Sequence, residues 1–276
     1  MPERALAPER WLAVVTGASS GIGEAFARQL AARGYDLLLT ARREDRLRHL
    51  ADELSAAHQV SVEIFPADLT EDQPRAALAG RIRTSPDFGL LVNNAGFGSK
   101  GLFHQAGLLD QDQMHRLHVL TPLALSHAAL ENLLARGDAA GRRGIINVSS
   151  VAGFEQSPSN VSYCATKAWL TSFTEGLAIE LELQRSPVKV QALCPGFTYS
   201  EFHDVLGMDR GAIPKQFWLA ADFVVAESLR AFDRGQLIVI PGWRYKILSA
   251  FLRAVPGPLM RRISAAAARR FRKPKQ

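Results

Sequence analysis

Cysteine is scarce in this chain: 276 residues contain two, Cys164 and Cys194, without metal-ligand spacing. Neither a disulfide framework nor a thiolate metal site is therefore expected, no metal is called for, and both read as reduced packing residues in a reducing, cytoplasmic setting. A long apolar run is missing from Met1 to Arg10, which carries Glu3 and Glu9, so no signal peptide or transmembrane start is expected. Internal repeats and low-complexity linkers are also lacking. Acidic residues stop at Asp233, whereas ten basic residues lie between Arg244 and Lys275. The rest of the chain holds 23 basic against 27 acidic residues, a net −4, so the formal +6 belongs to the tail. What remains, 47% hydrophobic and 22% charged, is the composition of a soluble domain large enough for a substantial core.

Apolar and polar spacing divides that domain into alternating elements. Strands are expected at 11–15, 35–40, 60–65, 89–92, 144–148, 188–193 and 237–240. Helices are expected at 24–33, 44–57, 73–83, 111–136, 160–183 and 220–232. Strand–helix alternation with right-handed crossovers predicts an α/β fold with a doubly wound parallel sheet. Residues 1–242 form this single domain and residues 243–276 a basic C-terminal extension.

The chemistry concentrates at the expected carboxyl ends of the strands, where such sheets bind ligands. Thr16-Gly17-Ala18-Ser19-Ser20-Gly21-Ile22-Gly23 follows the first strand, Asp68 the third, Asn93 the fourth, Ser150 the fifth and Pro195-Gly196 the sixth. Tyr163 and Lys167 stand four apart, about one helical turn, and so share a helix face. A phenol titrates near ~10, and a neighbouring ammonium favours its ionised form, so Lys167 is expected to lower the Tyr163 pKa. Tyr163 would then exchange a proton with a developing alkoxide while Ser150 gives that oxygen a second hydrogen bond. A lone Tyr-x-x-x-Lys is common by chance; joined to the glycine turn and the serine, it points to hydride-transfer chemistry.

These residues resemble the short-chain dehydrogenase/reductase family over about Leu12 to Gly242, and the subgroup related to 3-ketoacyl reductases through Leu-Cys-Pro-Gly-Phe-Thr and Glu201-Phe202. The resemblance implies a Rossmann-like seven-stranded sheet of order 3-2-1-4-5-6-7. It implies coenzyme pyrophosphate at Gly17, Ser19, Ser20, Gly21, Ile22 and Gly23, adenine at Asp68 and Leu69, and the adenosine ribose beside Ala95 and Asn93, with Asn93 bracing the strand there. The nicotinamide ribose would lie at Tyr163 and Lys167, and its carboxamide at Pro195, Gly196 and Thr198. Where an acidic residue would bond a ribose 2′-hydroxyl, the chain has Thr40-Ala41-Arg42-Arg43, so NADP(H) is expected through Arg42, unless both arginines merely begin a solvated helix. The family's usual asparagine in the long fourth helix is replaced by His118. Histidine can donate and accept, so a modified proton relay with a group titrating near neutrality is expected; the alternatives are a packing role or a weakened enzyme.

Phe202, Val205, Leu206, Met208, Ile213, Phe217, Trp218 and Leu219 crowd the segment that covers substrate in this family. They suggest a lipophilic carbonyl or alcohol, or else core or subunit interface. Leu248, Phe251, Leu252 and Val255 give the extension an apolar face flanked by Arg244, Lys246 and Arg253, and Leu259 to Phe271 gives a second amphipathic stretch. Peripheral contact with the cytoplasmic face of a membrane is one expectation and packing on the domain or a second subunit the other. No nucleic-acid partner is expected, and the resemblance implies a homodimer or homotetramer. A dinucleotide-binding sensor or scaffold at a membrane stands as the rival to an enzyme.

Overall fold

Strand residues divide between two cores by parity, and that division builds the fold. The computed structural model describes residues 10–98, 101–136, 143–202, 211, 213–255, 259, 261–262 and 264. In β1 (Leu12–Thr16), Ala13 and Val15 face one core while Leu12 and Val14 face the other. A two-residue period buried on both faces requires this.

The chain continues through α1 (Gly21–Ala32), β2 (Asp36–Ala41), α2 (Glu44–His58), β3 (Val62–Pro66), α3 (Asp72–Thr84) and β4 (Phe88–Asn93). After α4 (Leu108–His115), α5 (Thr121–Ala135) and β5 (Gly144–Val148) come α6 (Val161–Leu183), β6 (Lys189–Leu193), α7 (Ala221–Asp233), β7 (Ile238–Val239) and α8 (Trp243–Ala254). The seven strands are parallel in the order β3-β2-β1-β4-β5-β6-β7, and each expected strand is present with ends shifted by no more than two residues. Phe26 and Leu30 of α1, Leu47 of α2 and Leu229 of α7 fill one core. Leu78 and Ile82 of α3, Leu125 of α5 and Leu181 of α6 fill the other.

The single long helix expected at 111–136 is divided. Residues Arg116–Leu120 form a π turn between α4 and α5. Pro122 lacks the N–H that would reach the carbonyl of residue 118, which favours the wider i→i+5 turn. The Thr121 hydroxyl donates within this region to the Leu69 carbonyl at 2.8 Å and lies 3.0 Å from that of Arg116. His118 falls in the π turn and is 1% exposed.

The extension begins as α8 and folds back on the domain. Tyr245 is 3% exposed; its hydroxyl donates to the Phe217 carbonyl at 2.6 Å and accepts from the Phe197 N–H at 3.0 Å. A Cβ on Gly196 would lie 2.0 Å from the Tyr245 ring, so residue 196 must be glycine for α8 to seat. The expected apolar face of this helix is therefore split, with Leu248 and Leu252 against the cleft described below and Phe251 turned outward. Most of the second amphipathic stretch, Leu259 to Phe271, lies outside the described residues, as do Val205, Leu206 and Met208. Among the described residues, no helix is long and apolar enough to cross a membrane.

Candidate active site

Where the strands end, their following turns enclose a cleft of about 620 Å³. The turn after β1 supplies one wall. Gly17 has φ +67°, and a Cβ on Gly23 would come within 2.2 Å of the Gly17 carbonyl oxygen, so glycines let the turn close tightly on the start of α1. Ser20, the residue before α1, makes no side-chain cap, which leaves first-turn N–H groups for an anion. The Thr16 hydroxyl accepts from the N–H groups of Asn94 and Ala95 at 2.9 and 3.0 Å, tying this turn to the one after β4.

Gly17, Ser19, Ser20, Gly21, Ile22, Arg42, Asp68, Leu69, Ala95, Pro195, Gly196 and Thr198 all line the cleft, with Ser150, Tyr163, Lys167 and His118 at its inner end. Two expected residues do not. Gly23 packs beneath the turn, and Asn93 is buried on the sheet's other side, donating to Ser126 Oγ at 3.1 Å and Asn147 Oδ1 at 2.8 Å. Successive strand side chains point oppositely, so Asn94 rather than Asn93 reaches the cleft, donating to the carbonyls of Thr16 and Gly17.

Tyr163 and Lys167 project from α6 as their spacing requires. The Lys167 ammonium lies 5.7 Å from the Tyr163 ring centroid and donates to the Val148 carbonyl at 2.9 Å. Burial lowers the Lys167 pKa to about 8, so it still carries charge at neutrality. The expected lowering of the Tyr163 pKa does not occur. Burial pushes the phenol up to about 12, and its hydrogen bond with Ser150 opposes this only in part. Tyr163 is thus protonated at neutral pH, with the Phe202 ring 5.7 Å from its own.

His118 departs from expectation in its state. The Phe97 N–H donates to Nε2 at 3.0 Å, which places the ring proton on Nδ1, 3.0 Å from Thr166 Oγ1. Thr166 passes its own hydrogen to the Tyr163 carbonyl at 2.9 Å. Burial first, then the charge of Lys167, hold the His118 pKa well below 6.5. Both nitrogens are engaged and the ring is neutral, so it adds no group titrating near neutrality; it braces the loop after β4 against α6.

Sequence reasoning missed several cleft residues. Arg43 donates to Ser19 and Ser20 in the glycine turn, whereas Arg42 is 75% exposed at its side chain and 4.0 Å from Asp68. Leu248 and Leu252, expected on the tail's apolar face, line the cleft together with Tyr245. Phe217 and Trp218 instead form a wall behind the Phe197 segment, with Trp218 5.1 Å from the Tyr199 ring. Adjacency to Arg42 was the one available signal for Arg43; nothing local marked Tyr245.

The sheet order, the glycine turn beneath an open helix end and the serine, tyrosine and lysine in one cleft define an oxidoreductase of the nicotinamide-dinucleotide class. Residues 12–210 match the family model for short chain dehydrogenase, and the chain belongs to that family. It is 35% identical to Nodulation protein G of Rhizobium sp. (strain N33) over 195 residues, which are 70% of this chain and 76% of that protein. A short-chain dehydrogenase from Sphingobium yanoikuyae in complex with NADPH is 32% identical with TM-score 0.78, covering 90% of this chain and 97% of that one. A family member from Burkholderia phymatum in complex with NAD is 25% identical with TM-score 0.77, covering 90% and 94%.

Proposed function

We propose that this chain is an NADP(H)-preferring carbonyl reductase, or the reverse alcohol dehydrogenase, acting on a lipophilic substrate. The observation that carries the reading is the convergence of Ser150, Tyr163 and Lys167 at one end of a cleft whose other end presents Arg42 and Arg43. Ser19, Ser20, Gly21 and Ile22 would hold the pyrophosphate at the open end of α1, the two arginines the 2′-phosphate, Asp68 and Leu69 the adenine, and Pro195, Gly196 and Thr198 the carboxamide. The bound nicotinamide supplies or accepts the hydride. Tyr163 Oη holds the proton that a reduced carbonyl oxygen needs, Ser150 orients that oxygen, and Lys167 fixes a positive charge beside the phenol. Phe97, Leu117, Phe202, Leu248 and Leu252 line the same cleft and favour an apolar substrate over a charged one.

A protonated phenol at neutral pH favours reduction there, with oxidation rising in alkali as Tyr163 ionises. Purified protein given NADPH or NADH with aldehydes, steroid ketones and 3-oxoacyl thioesters tests the reading beside Tyr163→Phe. NADPH turnover that disappears in the variant supports it. Tight coenzyme binding without turnover across the panel refutes it in favour of the sensor.

Two association surfaces complete the proposal. Leu123 and Leu134 on α5, with Val161 and Ile179 on α6, are exposed apolar residues that suit pairing of subunits. Trp243, Ile247 and Phe251 form an exposed apolar stripe along α8 beside Arg244 and Lys246, which suits the surface of an anionic membrane.

A further inference from the structure

The segment after β6 reaches both ends of the cleft. Its Phe202 ring packs beside Tyr163, while the preceding Glu201 turns toward α2. There the Glu201 carboxylate accepts from Arg43 Nη1 at 2.7 Å and also pairs with Arg46. The other donors of Arg43 face the glycine turn: Nη2 reaches Ser19 Oγ at 3.0 Å and Ser20 Oγ at 3.1 Å, and Nε reaches Ser19 Oγ at 3.3 Å. One guanidinium thus lies between a carboxylate and two hydroxyls that line the cleft. The hydrogen bond from Arg46, then that from Arg43, hold the Glu201 pKa down to about 2, so it is an anion at any working pH.

We propose that Glu201 is a specificity residue for the coenzyme, competing with the adenosine 2′-phosphate for Arg43. The inference rests on the NADP(H) reading of the basic end of the cleft. A phosphomonoester carries about −1.5 to −2 charges at neutral pH and seeks the donors that Glu201 occupies. The carboxylate therefore opposes the phosphate by like charge and by sharing its cation, and the phosphate weakens the tie between the Phe202 segment and α2. Coupling of this kind is reciprocal: whatever loosens Glu201 from Arg43 favours the phosphorylated coenzyme. Arg46 keeps a partner for Glu201 when Arg43 turns to phosphate. A coenzyme without the phosphate leaves the tie intact, so Glu201 sets how strongly the two are distinguished.

Titration calorimetry of 2′,5′-ADP and 5′-AMP binding to the full chain tests this. In Glu201→Gln, affinity for 2′,5′-ADP is expected to rise about 3–10-fold with 5′-AMP unchanged, and the gain to shrink as salt screens the charges. Glu201→Ala also removes the charge and should give the same shift. A loss or no change for 2′,5′-ADP in both variants, an equal gain for 5′-AMP, or a gain indifferent to salt would overturn the competition. A parent protein without preference for 2′,5′-ADP refutes the NADP(H) reading separately, because the ratio rises on removing Glu201 only if the carboxylate opposes the phosphate.

Discussion

Tyr245→Phe measures how firmly α8 belongs to the catalytic domain. The substitution keeps the ring against Gly196 and removes only the hydroxyl that bridges the Phe217 carbonyl at 2.6 Å and the Phe197 N–H at 3.0 Å. Two hydrogen bonds of this kind contribute about 1–3 kcal/mol net, the larger value applying if the Phe197 N–H stays unpaired. At about 2–3 °C per kcal/mol for a chain of this size, the melting temperature should fall by about 2–9 °C. Tyr245→Ala also removes the ring and should cost about 3–5 kcal/mol. Thermal and urea unfolding give the stabilities, and coenzyme affinity should weaken alongside because Phe197 follows Pro195 and Gly196 in the cleft wall. Two variants that both melt within about 1 °C of the parent would show that α8 is not seated on Gly196, and that the cleft is built without the extension.

Because folded Lys167 has a pKa of about 8 against 10.5, the unfolded chain binds more protons between these values, so stability should rise with pH above about 8 by about 2–3 kcal/mol. Folded Tyr163 holds its proton to about 12 against 10.0, so stability should fall again above about pH 10. Lys167→Met should flatten the rising limb and Tyr163→Phe the falling one in urea titrations; unaltered limbs would refute the assignment. His118→Asn should lower stability by about 1–3 kcal/mol through its two ring contacts and leave the pH profile of kcat/KM between pH 6 and 7 unchanged. An inflection near the usual histidine value in the parent that vanishes in the variant would restore His118 as a titrating relay. Trp243→Ser, Ile247→Ser and Phe251→Ser together should abolish cosedimentation with phosphatidylserine vesicles while the fold is kept; a parent protein that does not cosediment refutes membrane contact.

Much of this architecture was legible because it depends on short-range patterns. The apolar runs of β1 and β4, the alternation in β3, the apolar spacing of α1 and the Tyr163–Lys167 interval each state a geometry within a few residues. What escaped depends on residues far apart or on a single-residue change of direction. Tyr245 seats its ring against Gly196, 49 positions earlier, and nothing near either residue announces the other. Asn93 and Asn94 differ by one position and therefore by one face of the sheet. Arg43 gained its place through Ser19, Ser20 and Glu201, from two separate loops. His118 was visible as a departure, but its protonation state depended on the Phe97 N–H and on burial, neither of which is written in the surrounding helix.

The sequence motif also implied a direction for the Tyr163 pKa that magnitudes reverse. Ionising a phenol with a pKa of about 12 at pH 7 costs about 7 kcal/mol. One ammonium at 5.7 Å from the ring centre returns about 3 kcal/mol at an effective dielectric constant near 20. A charge at that distance is worth less than half of that cost, and the Lys167 proton is itself held less tightly for being buried. The remainder must come from groups that bind beside the phenol, or the residue stays an acid. An acid already carrying its proton needs no such help to supply a carbonyl oxygen that becomes basic as it is reduced. The same burial that defeats the expected lowering thus prepares Tyr163 for the reductive direction at neutral pH, and Lys167 limits how far the phenol is carried from usefulness in the reverse one.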